Sequence, residues 1–252
     1  MGILLTGMLL SAQAQWLNHP DSRTPRTHDG KPVLTAPARR LNGKPDLSGV
    51  WQAERGQFNE YKKGPDDDPL RLQVDLLDVS NQVRNVFWGM KREEEPLKPE
   101  AVAVLAQRRD NAAFPPVRCL PFGVPGDMFV YAFKIIQTPQ EIVVLTEAGD
   151  PARQIYTDGR SLPNDPQPSW MGYSVGKWQG DTLVVETTGF KEEGWLDGTG
   201  HPRSQSMHIT ERLRRRDFGH IDLEITFEDA KYLHAVFHDE DRIEPASGHR
   251  YS

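Results

Sequence analysis

The residue types best suited to chemistry are concentrated between Trp170 and Phe227. A long polar connection carries Trp195, Asp197, His201 and Ser204, and it leads into a segment with His208 and Glu211. An aspartate four residues before a histidine can orient the imidazole as a general base. Asp197, His201, His208 and Glu211 could also supply metal ligands, but their spacing is not a metal-site signature and His208 has the wrong parity. A Ser204–His201 nucleophile lacks the strand–turn–helix setting such a serine needs. Cys119 is the single cysteine, with no histidine near in sequence to activate it, and reads as a small buried residue beside a Pro-rich turn.

Two hairpins must position these groups. Asp217-Phe218-Gly219 suits a three-residue turn with glycine in the left-handed position. It sets Leu213 opposite Leu223, Glu211 opposite Ile225 and Ile209 opposite Phe227, while Arg212 meets Glu224 and Arg214 meets Asp222 outside. A one-residue slip would mix the two faces, which selects this register. The run Arg212–Arg216 then reads as an outer, ion-paired face rather than a phosphate reader. Glu211 falls among apolar neighbours, where a lone carboxylate costs several kcal/mol. Two readings stay open: a general acid or base of raised pKa, or a structural glutamate paired with a buried arginine or backbone amides.

Gly180-Asp181 makes a two-residue turn that pairs Trp178 with Leu183, Gly176 with Val185 and Ser174 with Thr187. That face is read as inward. Inverting it would put Tyr173 and Glu186 inside, so Tyr173 is kept as a reserve proton donor. Arg153 and Glu147 bracket another turn, which suggests an ion pair across it or a substrate-carboxylate role for Arg153. The connection from Gly189 to Ser206 is long for a hairpin sheet, as lids and binding loops are.

The remaining chain supplies the frame. Twenty prolines and twenty-one glycines favour strands and structured loops over long helices. A net charge of −6 gives no general pull toward nucleic acid or anionic membranes. Residues 1–14 combine an apolar run with Ala-Gln-Ala, as a secretory signal does. Its charged leader is missing, as expected if the start falls inside a longer signal. Residues 15–45 read as an extended surface arm. Asp46–Gln52 reads as the first strand, and Val79, Val83, Val86, Phe87 and Met90 recur at helical spacing. A second helix is predicted from Lys98 to about Arg109, with Pro99 suited to its first turn. The acidic run before it reads as solvent-exposed. Candidate strands then follow at Lys134–Thr138, Ile142–Glu147, Arg153–Thr157, Met171–Gln179, Thr182–Thr188, Met207–Arg216, His220–Phe227 and Tyr232–Phe237. Sequential strands with short turns predict an antiparallel meander that can close into a barrel.

Several stretches together resemble a large group of exported bacterial proteins. They are Asp46–Trp51 (DLSGVW), Cys119–Pro125 (CLPFGVP), Trp170–Val185, Trp195–Asp197, Gly200–Pro202 and His208–Arg212. The resemblance covers most of the chain beyond residue 40 and implies export, but it brings no reaction with it. Gly49-Val50-Trp51 also resembles the first-strand Gly-x-Trp of lipocalin-like barrels, which implies a calyx for a small, largely apolar ligand.

The sequence therefore predicts a mainly β protein, an antiparallel meander closing into a lipocalin-like barrel. An N-terminal arm precedes it, and one or two helices are inserted after the first strand. Residues 1–14 are the signal, 15–45 the arm and 46–252 a single domain with a helical insertion at about 70–110. The expected function is an exported enzyme using metal-independent acid/base chemistry, as a lyase, isomerase or hydrolase, on an aromatic, terpenoid or sugar-derived molecule. Glu211, His201, Asp197 and Tyr173 are the candidate catalytic groups, and Trp195, Trp170, His208 and Arg153 the candidate substrate contacts. The alternative is a non-catalytic periplasmic binding protein for a small apolar ligand; a structural envelope module, its barrel filled by side chains, is the third. No cofactor, nucleic-acid partner or membrane span is expected, and the location is periplasmic or secreted.

Overall fold

A computed structural model describes residues 22–53, 86–87, 90, 92–108, 115–126, 128, 132–147 and 150–245, the final strand by its backbone. The signal-like segment and most of the helix expected over Val79–Met90 lie outside these residues. Val86 and Phe87, from that stretch, form a buried turn.

The described fold is mainly β with one α-helix. A small hairpin in the arm pairs β1 (Arg40–Leu41) with β2 (Lys44–Pro45). Nine further strands build one strongly curled sheet: β3 (Gly49–Ala53), β4 (Phe133–Gln137), β5 (Glu141–Thr146), β6 (Arg153–Tyr156), β7 (Tyr173–Gln179), β8 (Thr182–Thr188), β9 (His208–Arg215), β10 (Ile221–Glu228) and β11 (Phe237–Pro245). Each pairs with the next in sequence, and β11 pairs back onto β3, so the pairings form a ring. Tyr232–Phe237, expected as a strand, is instead mostly a turn with Tyr232 and Leu233 buried. The last strand starts at Phe237, in a polar stretch without the apolar alternation that marks the others.

Both hairpin registers are those the turns predict, but Gly219 does not take the expected left-handed conformation; its amide donates instead to the Leu34 carbonyl at 2.7 Å. Leu213 lies opposite Leu223, Glu211 opposite Ile225 and Ile209 opposite Phe227. Trp178 lies opposite Leu183, Gly176 opposite Val185 and Ser174 opposite Thr187. The inward faces of β4, β5 and β7–β10 interdigitate with Leu47, Trp51, Met128 and Phe133 in a continuous apolar core. At one end the Trp51 indole donates to the Leu47 carbonyl at 2.9 Å, and the Arg215 guanidinium lies 5.0 Å above its ring. Arg215 corrects the outer-face reading of the arginine run. It is turned inward and buried, donating to the carbonyls of Asp46, Asp217 and Phe218. Outside, Arg212 pairs with Glu224 as expected, whereas Asp222 takes Arg216 rather than Arg214.

One pairing departs from the antiparallel meander. β6 and β7 run parallel, because residues 157–172 carry the chain back past the strand before it turns inward again. Their pairing is short, joining only Ile155 to Ser174 and Tyr156 to Val175. The helix α1 (Pro99–Gln107) begins at the predicted proline and buries Ala101 and Leu105. Arg108 follows it and lays its guanidinium 5.4 Å from the Trp195 ring.

Candidate functional site

The short parallel seam leaves an opening. Pairing between β6 and β7 begins only at Ile155, so Arg153 and Gln154 pair with β5 but have no ladder partner on the β7 side. A cavity of about 380 Å³ occupies this gap, lined by Trp170, Tyr173, Tyr156, Met171, Gln154 and Lys191 among others. That volume suits a small organic ligand.

Its walls are fixed from behind. Ser169 and Phe190 form a parallel bridge, with the Ser169 amide donating to Gly189 and the Lys191 amide to Ser169, each at 2.9 Å. This sets Trp170 beside Lys191, whose ammonium lies 5.4 Å from the indole centre. The fully buried Arg203 donates to the Trp170 carbonyl at 2.9 Å and to Val124 at 2.6 Å. On the other wall the rings of Tyr156 and Tyr173 lie 5.4 Å apart. Arg160 covers Tyr156 at 3.7 Å and donates to the Tyr173 hydroxyl at 3.2 Å. Ser174 forms part of the floor.

Behind Ser174 lies the strand-centre carboxylate. Glu211 and Arg153 are each 1 % exposed and meet end-on. Arg153 Nη1 donates to Glu211 Oε1 at 3.0 Å, and Nη2 donates to Oε2. The guanidinium also donates to Ser174 at 3.3 Å and to Thr187 at 3.0 Å, and those two hydroxyls lie 2.9 Å apart. Such a bidentate pair satisfies both partners. It answers the question the register posed about Glu211, and it corrects the pairing read for Arg153, which reaches inward to Glu211 and not across its turn to Glu147.

A second buried polar group forms in the long connection. His201 Nδ1 lies 2.6 Å from Asp197, and Thr199 Oγ1 donates to Asp197 at 2.7 Å. Thr199 meets Oδ1, while Oδ2, which faces the imidazole, also accepts from the Val86 amide at 3.0 Å. On its far side, His201 Nε2 stands 3.4 Å from Glu95, with Phe87 edge-on to the ring. Burial pushes the imidazolium toward deprotonation, but the two carboxylates outweigh it and raise the pKa to about 9. The same ion pairing holds the Asp197 carboxyl below its usual range against the effect of burial. With both ring nitrogens engaged and the ring charged at neutral pH, His201 is placed as a buried cation joining three chain segments. That arrangement does not suit a resting general base.

The predicted residues thus fall into separate places. Trp170 and Tyr173 meet at the cavity, Glu211 and Arg153 inside the sheet, and Asp197 and His201 in the connection. Among the described residues no hydrogen bond joins Glu211 to His201. Trp195 is buried beneath Arg108 as part of the packed connection. His208 sits on the outer face, 3.9 Å from both Glu186 and Glu228. Ser204 donates to the buried Asp229 at 2.7 Å. Cys119, read as buried, is exposed, with its backbone in the left-handed region at φ 56°. Sequence reading missed Lys191, Tyr156, Gln154 and Glu95. The Asp197-x-Thr199-x-His201 spacing held a signal of local bonding, whereas Glu95 sat in an acidic run and was brought to His201 only by folding. Among the described residues no three His, Cys, Asp or Glu side chains cluster as a metal site. The chain matches no family model, and no curated protein is similar to it at a significant level.

Proposed function

We propose that the protein is an exported, lipocalin-like barrel that binds a small molecule in the cavity beside the β6–β7 seam. The observation that carries this reading is the convergence of Trp170, Tyr173, Tyr156 and Lys191 on one concave gap of ligand size, fixed by the buried Arg203. The lumen, where a calyx was expected, holds the apolar core and the Arg153–Glu211 pair. Export rests on the signal-like N-terminal segment and on the resemblance.

A catalytic reading has one specific support. Of the four predicted catalytic groups Tyr173 is the one that lines the cavity, and Arg160 donates to its oxygen, which leaves the phenolic hydrogen for a ligand. In that reading Tyr173 acts as general acid in a lyase, isomerase or hydrolase reaction.

Filling the cavity tests the binding reading. Ala152 is exposed at its rim, so Ala152→Trp should occlude the space without disturbing the core. Thermal-shift screening of wild type against a set of small aromatic compounds should reveal stabilising ligands that leave the Ala152→Trp melting temperature unchanged. Ligands that stabilise both proteins equally would place binding elsewhere. If Tyr173→Phe retains ligand while turnover of that ligand disappears, the catalytic reading is supported; turnover unaffected by the change removes it.

A further inference from the structure

We infer that the ligand is a planar aromatic acid whose ring lies against Trp170 and whose carboxylate is held by Lys191. This deepens the binding reading and rests on it.

The charge around the cavity has one sign. Lys191 is half-buried, and its only side-chain partner among the described residues is the Trp170 ring. No aspartate or glutamate lines the space. The neighbouring cations are already neutralised: Arg153 faces Glu211, and Arg160 is bonded to Asp158 at 2.6 Å. Elsewhere lysines do find carboxylates, as Lys231 does with Glu192 and Lys31 with Asp29. Lys191 therefore leaves an uncompensated positive charge at a partly enclosed site, although the whole chain carries −6. Enclosure weakens solvent screening of that charge, so an anionic group on the ligand gains more here than at an open surface.

Ring shape follows from the walls. The Trp170 indole and the Tyr156 and Tyr173 rings line the space together with Met171, and Arg160 covers Tyr156. Aromatic walls favour stacking or edge contacts with a flat ligand. The Lys191 ammonium is held near Trp170 by a weak cation–π contact at 5.4 Å. A carboxylate can draw it away and leave the indole face free. Gln154 adds an amide and Ser174 a hydroxyl for the remaining oxygen, whereas the Ser169 hydroxyl already donates to the Gly172 carbonyl at 3.1 Å. Ser174 already accepts from Arg153, so its hydroxyl hydrogen serves either Thr187 or the ligand.

The test uses three probes of one shape and different charge: naphthoate, naphthalenemethanol and naphthylmethylammonium. Each is titrated calorimetrically at low salt into the wild type, Lys191→Met and Ala152→Trp, with folding checked by circular dichroism. The wild type should bind naphthoate about tenfold more tightly than the alcohol, and the ammonium probe most weakly. Lys191→Met should bind the acid and the alcohol alike, and Ala152→Trp should bind neither. Equal binding of acid and alcohol by the wild type, or a preference for the ammonium probe, would overturn the acid class and leave cavity binding standing. An acid preference that survives in Lys191→Met would overturn the role of Lys191. If none of the three probes binds the wild type, the binding reading falls together with this inference.

Discussion

Arg153 on β6 and Glu211 on β9 stand three strands apart in the curled sheet and 58 residues apart in sequence, and the two terminal guanidinium nitrogens meet the two carboxylate oxygens. Each is 1 % exposed, so desolvation opposes the pair as strongly as attraction favours it. Removing one partner strands the other charge. We expect Glu211→Gln or Arg153→Met to cost about 3–5 kcal/mol in unfolding by denaturant. The double replacement Arg153→Leu with Glu211→Leu should recover most of that loss. Single variants with unchanged midpoints would show that the pair does not hold the core in place.

His201 predicts a pH dependence. Its folded pKa of about 9 exceeds the ordinary 6.5, so the protonated form is favoured by folding. The stabilisation is complete below pH 6.5 and is lost as pH rises through about 9, an effect of about 3 kcal/mol. The groups facing the ring are Asp197, Thr199 and Glu95. Melting temperatures measured between pH 6 and 10 should fall across this window in the wild type. His201→Gln should flatten the slope, and an equal slope in the variant would assign the effect to other groups.

Gly172 sits at the cavity wall with φ +68°, and an added Cβ would lie 2.7 Å from the Thr187 methyl and 2.8 Å from Phe190. Gly172→Ala combines left-handed backbone strain of about 1–2 kcal/mol with overpacking of about 1–3 kcal/mol. Unfolding measurements should register a loss of about 2–5 kcal/mol. Gly159→Ala is the control, since it shares a positive φ but has nothing within 4 Å of the added carbon. Its cost should be the strain alone.

Cys119 is exposed, so one thiol per chain should react with Ellman's reagent in the folded protein without denaturant. Reaction only after unfolding would restore the buried position read from the sequence.

The sequence was most informative where covalent geometry leaves few options. Asp217-Phe218-Gly219 admits one register that keeps apolar residues on one face, and Gly180-Asp181 suits a two-residue turn although valines lie on both faces; the observed pairings of β7–β10 follow. The helix start at Pro99 was legible for the same reason. Reading failed where a local pattern had more than one meaning. The arginine run looked uniform, yet parity turned Arg215 inward onto Trp51. The polar strand Phe237–Pro245 gave no alternation to find.

Glu211 marks the boundary between the two kinds of information. Strand register alone put a carboxylate on the inward face and so required a partner, because an isolated buried charge is too costly to keep. Which partner it has is a long-range fact. Only the assembled sheet brings Arg153 over β7 and β8 to Glu211, while His201, which the sequence had grouped with Glu211, pairs with Asp197 in the connection. The cavity is likewise tertiary. It exists because the chain returns along residues 157–172 to pair β7 parallel to β6, leaving a gap that Trp170, Tyr173 and Lys191 enclose. Side-chain parity is local and can be read from spacing, whereas the meeting of distant strands depends on how the whole sheet closes.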